Sequence, residues 1–304
     1  MIETPYTRCA CRTSVRALLT ALAELARLRI ALLVLAVTAA GFFLALAPDE
    51  PFSNFTLLGN VLLGTALIAA GANTLNQAIE AEYDALMVRT MSRPIPSRRI
   101  TRAWAAVFGV VSGFGGVGYL FVFANATTGT IGAVTLAGYV LLYTPLKRVS
   151  WTSVFVGAVP GALPPVIGWT AATGAFDARA WTLFGILYVW QLPHFAAIAW
   201  LHREDYRRAG YPTLATADAN GLKLCRHMMA GSIVLLAVSL LPVFLRLSGG
   251  AYAAGAVLLG VTFMAFGAWF CVRRTRPAAR LHLFASVAYL PALFGAMLVD
   301  KVSP

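Results

Sequence analysis

The chain has 304 residues, of which 59% are hydrophobic and only 12% are charged. This composition is too apolar for a soluble domain of that length and indicates that most of the chain lies in a lipid bilayer. The formal net charge of +12 does not indicate a nucleic-acid partner, because Lys and Arg separate apolar runs instead of clustering on a polar domain with interleaved aromatic residues.

Nine stretches are long and apolar enough to cross a membrane, since a spanning helix needs about 20 mostly apolar residues. We therefore predict an all-α bundle of about nine transmembrane helices. We expect residues 1–28 to form a cytoplasmic N-terminal segment and residues 29–304 to form one transmembrane domain. The predicted spans are 30–48, 55–79, 103–124, 128–146, 153–173, 180–201, 227–246, 250–272 and 281–299.

The basic residues fall almost entirely on one side of these spans. When successive loops are assigned to alternate faces, only Arg179, Arg246 and Lys301 of the 24 Lys and Arg residues lie on the other face. Cytoplasmic loops carry the excess of Lys and Arg. We therefore expect a multi-pass protein of the cell inner (plasma) membrane, with a cytoplasmic N-terminus and, after nine spans, an outside C-terminus.

The second span ends in a group of amide and acidic side chains. Asn76, Glu80 and Asp84 are four residues apart, so they share one helix face if the helix continues past the apolar stretch. Oxygen ligands of this kind suit Mg²⁺ bound to a diphosphate, and Asn73 is predicted to contact the same substrate. The alternative is interfacial helix capping, which is weakened because ionisable residues at the edge of a span are costly and usually functional.

Basic residues follow this group and recur in the next cytoplasmic loop. Arg89 and Arg93 are guanidinium groups suited to phosphate oxygens. Tyr143, Lys147 and Arg148 occur in the segment YTPLKRVS and are placed to reach the same end of the bundle. Topological anchoring is the alternative for the Lys-Arg pair.

The sixth span and its following loop supply further candidates. His194 lies mid-span, close to Trp190, and both are predicted to contact substrate, with a satisfied core histidine as the alternative. Asp205 begins the second long loop and is predicted to join the metal ligands of span 2, unless it is a solvated loop carboxylate.

These three regions resemble the signature regions of the UbiA superfamily of intramembrane prenyltransferases, and closely those of the branch that farnesylates protoheme. The segments are NQAIEAEYDALMVRTMSRP, YTPLKRVSWTSVFVGAVPGALPPVIGWTAATG and WQLPHFAAIAWLHREDYRRAGYP. The resemblance implies a nine-helix bundle with an Mg²⁺-dependent site near the cytoplasmic leaflet. That site would join farnesyl diphosphate to a vinyl group of protoheme IX to give heme O, with a downstream heme A synthase as a partner.

The family's functional residues carry over onto matching positions. Many relatives have Asp where this chain has Glu80, and only the Glu204-Asp205 pair stands where a second aspartate-rich motif would lie. The number of Mg²⁺ ions, one or two, therefore stays open. The positions that the resemblance implicates are Asn76, Glu80, Asp84, Arg89, Arg93, Lys147, Arg148, His194 and Asp205.

In the expected mechanism, cations neutralise the departing diphosphate and the aromatic residues Tyr143, Trp169 and Trp190 shield the allylic cation. His194 would be an axial heme ligand or a pocket wall. In a second interpretation, the enzyme transfers the prenyl group to a quinone precursor or another aromatic acceptor, and His194 then has no evident role. A third reading is a transporter, but the carboxylates cluster on one side and no mid-span acids mark a route through the bilayer.

Overall fold

A computed structural model describes residues 15–46, 54–218 and 220–302 as a helical bundle. Within these ranges nine spans are long and apolar enough to cross a membrane, which confirms the predicted fold class and the predicted number of spans. Residues 1–14 of the predicted N-terminal segment lie outside the described residues. The helices are α1 (Val15–Leu25), α2 (Leu28–Ala45), α3 (Phe55–Asp84), α4 (Arg102–Phe123), α5 (Ala126–Ala137), α6 (Thr144–Leu146), α7 (Ser153–Ala162), α8 (Pro164–Thr173), α9 (Ala178–Leu201), α10 (Arg203–Arg208), α11 (Leu214–Ala217), α12 (Leu222–Phe244), α13 (Gly250–Arg273) and α14 (Arg276–Val299).

Two of the nine spans depart from regular α-helix. The fourth joins α5 to α6 through a π-helical turn, Gly138–Tyr143, where the Thr144 hydroxyl donates to the Tyr139 carbonyl at 2.8 Å. Such turns often lie at functional sites. The fifth span breaks at Leu163 between α7 and α8, because the prolines that open α8 have no backbone N–H to donate.

Several helices extend past the apolar stretches read from the sequence. The third helix continues past residue 79 to Asp84, so Asn76, Glu80 and Asp84 do share one helix face. The twelfth helix starts at Leu222, before the predicted residue 227. Polar residues at the bilayer surface lower the hydropathy without breaking the helical hydrogen bonds. The helices are therefore longer than the apolar stretches that predicted them.

Close helix contacts through glycine fix the position of α3. A methyl group added at Gly71 of α3 would overlap the backbone of Gly113 in α4, and one added at Gly41 of α2 would overlap Pro165 of α8. Small residues allow membrane helices to approach in this way. The packing therefore holds the polar end of α3 on a rigid support.

The two ends of the bundle differ in character. At one end, the Lys301 ammonium group donates to the carbonyls of Phe43, at 2.9 Å, and Leu46. Asp300 accepts from the Tyr252 amide at 2.7 Å. These bonds gather the ends of α2 and α14 with the start of α13, as alternating spans require. The opposite end carries α1, the segment 85–101, α10, α11 and the polar end of α3.

Candidate active site

The amide residues of α3 are buried against the junction of α1 and α2. The Asn73 side chain donates to the Ala26 carbonyl at 3.2 Å. The Asn76 amide donates to the Thr144 hydroxyl at 3.2 Å and its oxygen accepts from the Arg27 guanidinium at 3.2 Å. Asn76 thus connects α3 with the π-helical turn and with the N-terminal helices.

Glu80 and Asp84 form a buried acidic pair, and each is held by a cation. Both side chains are 1% exposed. The Lys147 ammonium lies 3.2 and 3.1 Å from the two Glu80 oxygens, and Arg93 donates to Asp84 Oδ2 at 2.7 Å. A buried carboxylate without a partner is strongly destabilising, so these ion pairs explain how two acids are tolerated here.

The donor set of this acidic pair fits a hard divalent cation. Asp84 Oδ1 is buried without a hydrogen-bond partner, so it is an oxygen donor available to a ligand. In the ranges that the structure describes, no three His, Cys, Asp or Glu side chains form a group that could hold a metal ion alone. An ion bound by Glu80 and Asp84 would therefore take its other ligands from amide, phosphate or water oxygens, as Mg²⁺ usually does.

Asp205 of α10 lies against the segment that follows α3. Its carboxylate accepts from the backbone amides of Val88 and Arg89 at 3.2 and 3.4 Å and from the Arg208 guanidinium at 3.2 Å. It therefore positions the backbone from which the Arg89 side chain extends. Its predicted role as a metal ligand stays a prediction.

Lys147 and Arg148 point to different neighbours at the end of the fourth span. The Lys147 ammonium lies 4.8 Å from the centroid of the Tyr211 ring, between that ring and Glu80. Burial lowers the pKa of Lys147, but the neighbouring Tyr143 and the Glu80 carboxylate raise it by more, so the net direction is upward and the side chain stays charged. Arg148 instead donates to the Ile79 carbonyl at 2.5 Å and braces α3.

A cavity of about 430 Å³ opens beside Lys147 between α7, α9 and α12. Cavities of about 300–1,000 Å³ commonly hold small organic ligands. Tyr143 and Lys147 are the predicted site residues that line it, and most of the remaining lining is apolar or aromatic. The charged group around Glu80 therefore has an apolar chamber at its side.

The aromatic residues predicted from spans 5 and 6 lie elsewhere. The Trp190 ring stacks on His194 with centroids 4.6 Å apart. His194 Nδ1 is 2.7 Å from the Ser286 hydroxyl, and Trp190 donates to the Ser286 carbonyl at 2.9 Å. These side chains thus face α14 and are not among the residues lining the cavity, and Trp169 lies in the bundle core. Their predicted contacts with substrate stay predictions.

Two residues near the acidic pair were not predicted from the sequence as site residues. Arg27 was interpreted only as topological charge, yet its side chain reaches Asn76 from a left-handed backbone conformation with φ 50°. The Tyr211 hydroxyl is buried without a partner. Burial raises the pKa of Tyr211, so the hydroxyl stays protonated. The quoted motif RRAGYP contains Tyr211, but only the fold brings it beside Lys147.

A buried acidic pair held by Lys147 and Arg93, set beside an apolar chamber in a bundle of membrane-spanning helices, is the arrangement expected of an intramembrane prenyltransferase. The chain belongs to the UbiA prenyltransferase family, whose model matches residues 33–290. This confirms the family resemblance read from the sequence.

Individual relatives make the likeness more specific. Protoheme IX farnesyltransferase of Solibacter usitatus (strain Ellin6076) is 43% identical over 284 residues, which cover 91% of this chain and 97% of the relative. Protoheme IX farnesyltransferase of Sorangium cellulosum (strain So ce56) is 42% identical over 243 residues, or 80% of this chain and 86% of the relative. A solved UbiA homolog from Archaeoglobus fulgidus bound to DMAPP and Mg²⁺ shares the fold with a TM-score of 0.62 at 14% identity, over 91% of this chain and 98% of that one.

Proposed function

We propose that this chain transfers the farnesyl group of farnesyl diphosphate to a vinyl group of protoheme IX, giving heme O and diphosphate. The observation that carries the proposal is the buried group of Glu80, Asp84, Lys147 and Arg93 beside the 430 Å³ apolar cavity. A charged pocket suits the diphosphate, and an apolar chamber suits the prenyl chain and its acceptor. Protoheme is the acceptor named for relatives up to 43% identical.

We propose that Asn76, Glu80 and Asp84 hold Mg²⁺, with Asp205 as a further ligand. The solved relative bound to DMAPP and Mg²⁺ supports the choice of ion, and the unpartnered Asp84 Oδ1 supports the place. When bound, Mg²⁺ supplies neutralisation of the diphosphate charge.

The residues of the chain would bind and shield the reacting groups. Arg89, Arg93 and Lys147 contact the diphosphate oxygens and stabilise the charge that develops as the allylic C–O bond breaks. The apolar chamber beside Tyr143 keeps water from the allylic cation. The vinyl π electrons form the new bond to C1 of the farnesyl group. The resulting cation on the porphyrin side chain then takes the oxygen of a water molecule, which loses a proton and remains as a hydroxyl group.

The remaining substrate contacts and the placement of the chain belong to the same proposal. Asn73 and Arg148 orient α3, and His194 and Trp190 contact the acceptor from the α14 side. The transmembrane domain, residues 29–304, crosses the cell inner (plasma) membrane with the N-terminus cytoplasmic and the C-terminus outside. Heme O formed at the cytoplasmic end is then available to a heme A synthase.

The test is prenyl transfer by purified protein in detergent with Mg²⁺, farnesyl diphosphate and protoheme, followed by chromatography of the pigments. Glu80→Gln and Asp84→Asn should each abolish turnover, because each removes a buried carboxylate. Glu82→Gln is the matched control, since that side chain is 81% exposed on the same helix and should leave turnover unchanged. Prenylation of a quinone precursor with no farnesylated heme would refute the acceptor. Full activity of either buried-site variant would refute the site.

A further inference from the structure

His227 of α12, which has no part in the site described above, lines the 430 Å³ cavity. Its Nδ1 lies 2.9 Å from the Lys223 carbonyl, and a carbonyl oxygen can only accept, so Nδ1 carries the proton. In the neutral ring this leaves the lone pair on Nε2. The Trp151 ring meets the imidazole edge to face, with centroids 5.4 Å apart, and it also lines the cavity. His227 is therefore held in the tautomer that leaves Nε2 free to bind a metal.

We propose that this cavity is the binding site of the porphyrin acceptor and that His227 Nε2 is the axial ligand of its iron. The inference rests on the proposed function and adds to it the place and the ligand of the acceptor; since His194 and Trp190 do not line this cavity, it replaces their acceptor contacts by His227. Neutral imidazole is a common ligand of heme iron. The aromatic side chains of Trp151, Phe155 and Phe195 give the cavity the walls that a flat macrocycle requires.

Charge fixes the direction in which the porphyrin enters. His227 and Ala230 of α12 line the cavity. Lys223 and Arg226 each precede one of them by four residues, so they lie one turn earlier on the same face of the helix, and both are exposed. Protoheme carries its two propionates on the edge opposite its vinyl groups. With the propionates at Lys223 and Arg226, the vinyl edge points inward to the cavity wall formed by Tyr143 and Lys147, where the diphosphate site begins.

The same features favour the porphyrin over the farnesyl chain at the His227 end of this cavity. A hydrocarbon tail forms no bond with an imidazole lone pair and no ion pair with the two cations. In an iron porphyrin, the iron can bind the imidazole and the two propionates can pair with the cations.

The test is a titration of the full-length protein in detergent with ferric protoheme, followed by its Soret band. His227→Gly should lose the spectrum of imidazole-ligated iron, and added imidazole should restore it. Metal-free protoporphyrin IX should bind the wild type and His227→Gly equally. An unchanged spectrum in His227→Gly would overturn the proposal. So would a loss that imidazole does not restore, or loss of the signature in His194→Gly while His227→Gly keeps it.

The propionate contacts are tested in the same titration. Lys223→Ala and Arg226→Ala should each weaken protoheme binding by about twofold to fivefold, the range for exposed ion pairs. Neither should affect the dimethyl ester of protoheme. Arg273→Ala is the matched control, because it removes an equal charge at the same end of the bundle but from α13. It should leave the affinities for protoheme and for its dimethyl ester unchanged. Equal losses for the acid and the ester would overturn the assigned direction.

Failure of this inference is distinguishable from failure of the proposed function. If wild-type protein farnesylates protoheme while His227→Gly keeps the wild-type Soret band, only the acceptor site is wrong. If wild-type protein forms no farnesylated heme but prenylates a quinone precursor, the proposed function is wrong.

Discussion

Replacement of Lys147 by Met separates the folding role of the buried ion pair from its chemical role. The change removes the ammonium group that lies 3.1 and 3.2 Å from the Glu80 oxygens and leaves a carboxylate that is 1% exposed. Breaking a buried pair from one side costs about 3–5 kcal/mol. Since the Lys147 side chain is 22% exposed, water reaches one edge of the pair. We therefore expect the lower end, about 3 kcal/mol, or roughly a hundredfold change in the folding equilibrium.

The assay pairs denaturant unfolding in detergent with prenyl transfer on the same preparations. The double variant Glu80→Gln/Lys147→Met leaves no buried charge without a partner, so it should recover most of the lost stability. Its turnover should stay absent, because the proposed diphosphate ligand and the proposed metal ligand are both gone. Arg102→Met is the matched control. It breaks a solvent-exposed pair with Glu82 at 3.0 Å, which is worth about 1 kcal/mol or less.

Two results would refute this reasoning. Wild-type stability of Lys147→Met would show that Glu80 does not depend on the ammonium group. Wild-type turnover of the double variant would show that neither side chain takes part in the reaction.

Three further outcomes follow from the contacts. Arg27→Ala should raise the KM for farnesyl diphosphate about tenfold, because it removes the charged donor that holds Asn76, a proposed ligand of the magnesium diphosphate. Steady-state kinetics measure this KM, and an unchanged value would contradict the prediction. Tyr211→Phe should keep stability but lower kcat by up to about tenfold, because only a hydroxyl is removed; unaltered kcat would leave that hydroxyl without a role. Gly71→Val should lower the free energy of unfolding by about 1–3 kcal/mol through overpacking. Gly59→Val, where an added methyl group meets nothing within 4 Å, should not.

The number and order of the spans were predictable because the bilayer imposes them. Backbone groups in lipid must be bonded internally, so each apolar run of sufficient length becomes a helix. The helical spacing of Asn76, Glu80 and Asp84 also followed from the sequence, because four-residue intervals recur on one face. The helix ends did not follow: α12 begins at Leu222, where Lys223 and Arg226 reduce the hydropathy but not the helical hydrogen bonding.

The partners of the buried charges were not predictable, because they join segments far apart in the chain. Lys147 reaches Glu80 across 67 positions and Arg27 reaches Asn76 across 49. No local pattern in the sequence selects these pairs, because they form only once the helices have packed together. The neighbour of His194 was likewise not predictable from the sequence. A mid-span histidine can face a cavity or a neighbouring helix, and only the packing of Ser286 against it selects α14.

The ion pairs also explain how two carboxylates stay buried at the end of α3. Lys147 neutralises Glu80 and Arg93 neutralises Asp84. A diphosphate entering alone would draw these cations away and leave two buried carboxylates without partners, which is costly. In the proposed site, Glu80 and Asp84 would hold Mg²⁺ while Lys147 and Arg93 would bind phosphate oxygens, so no buried charge would be left without a partner. The proposed site therefore favours the magnesium complex over the free diphosphate.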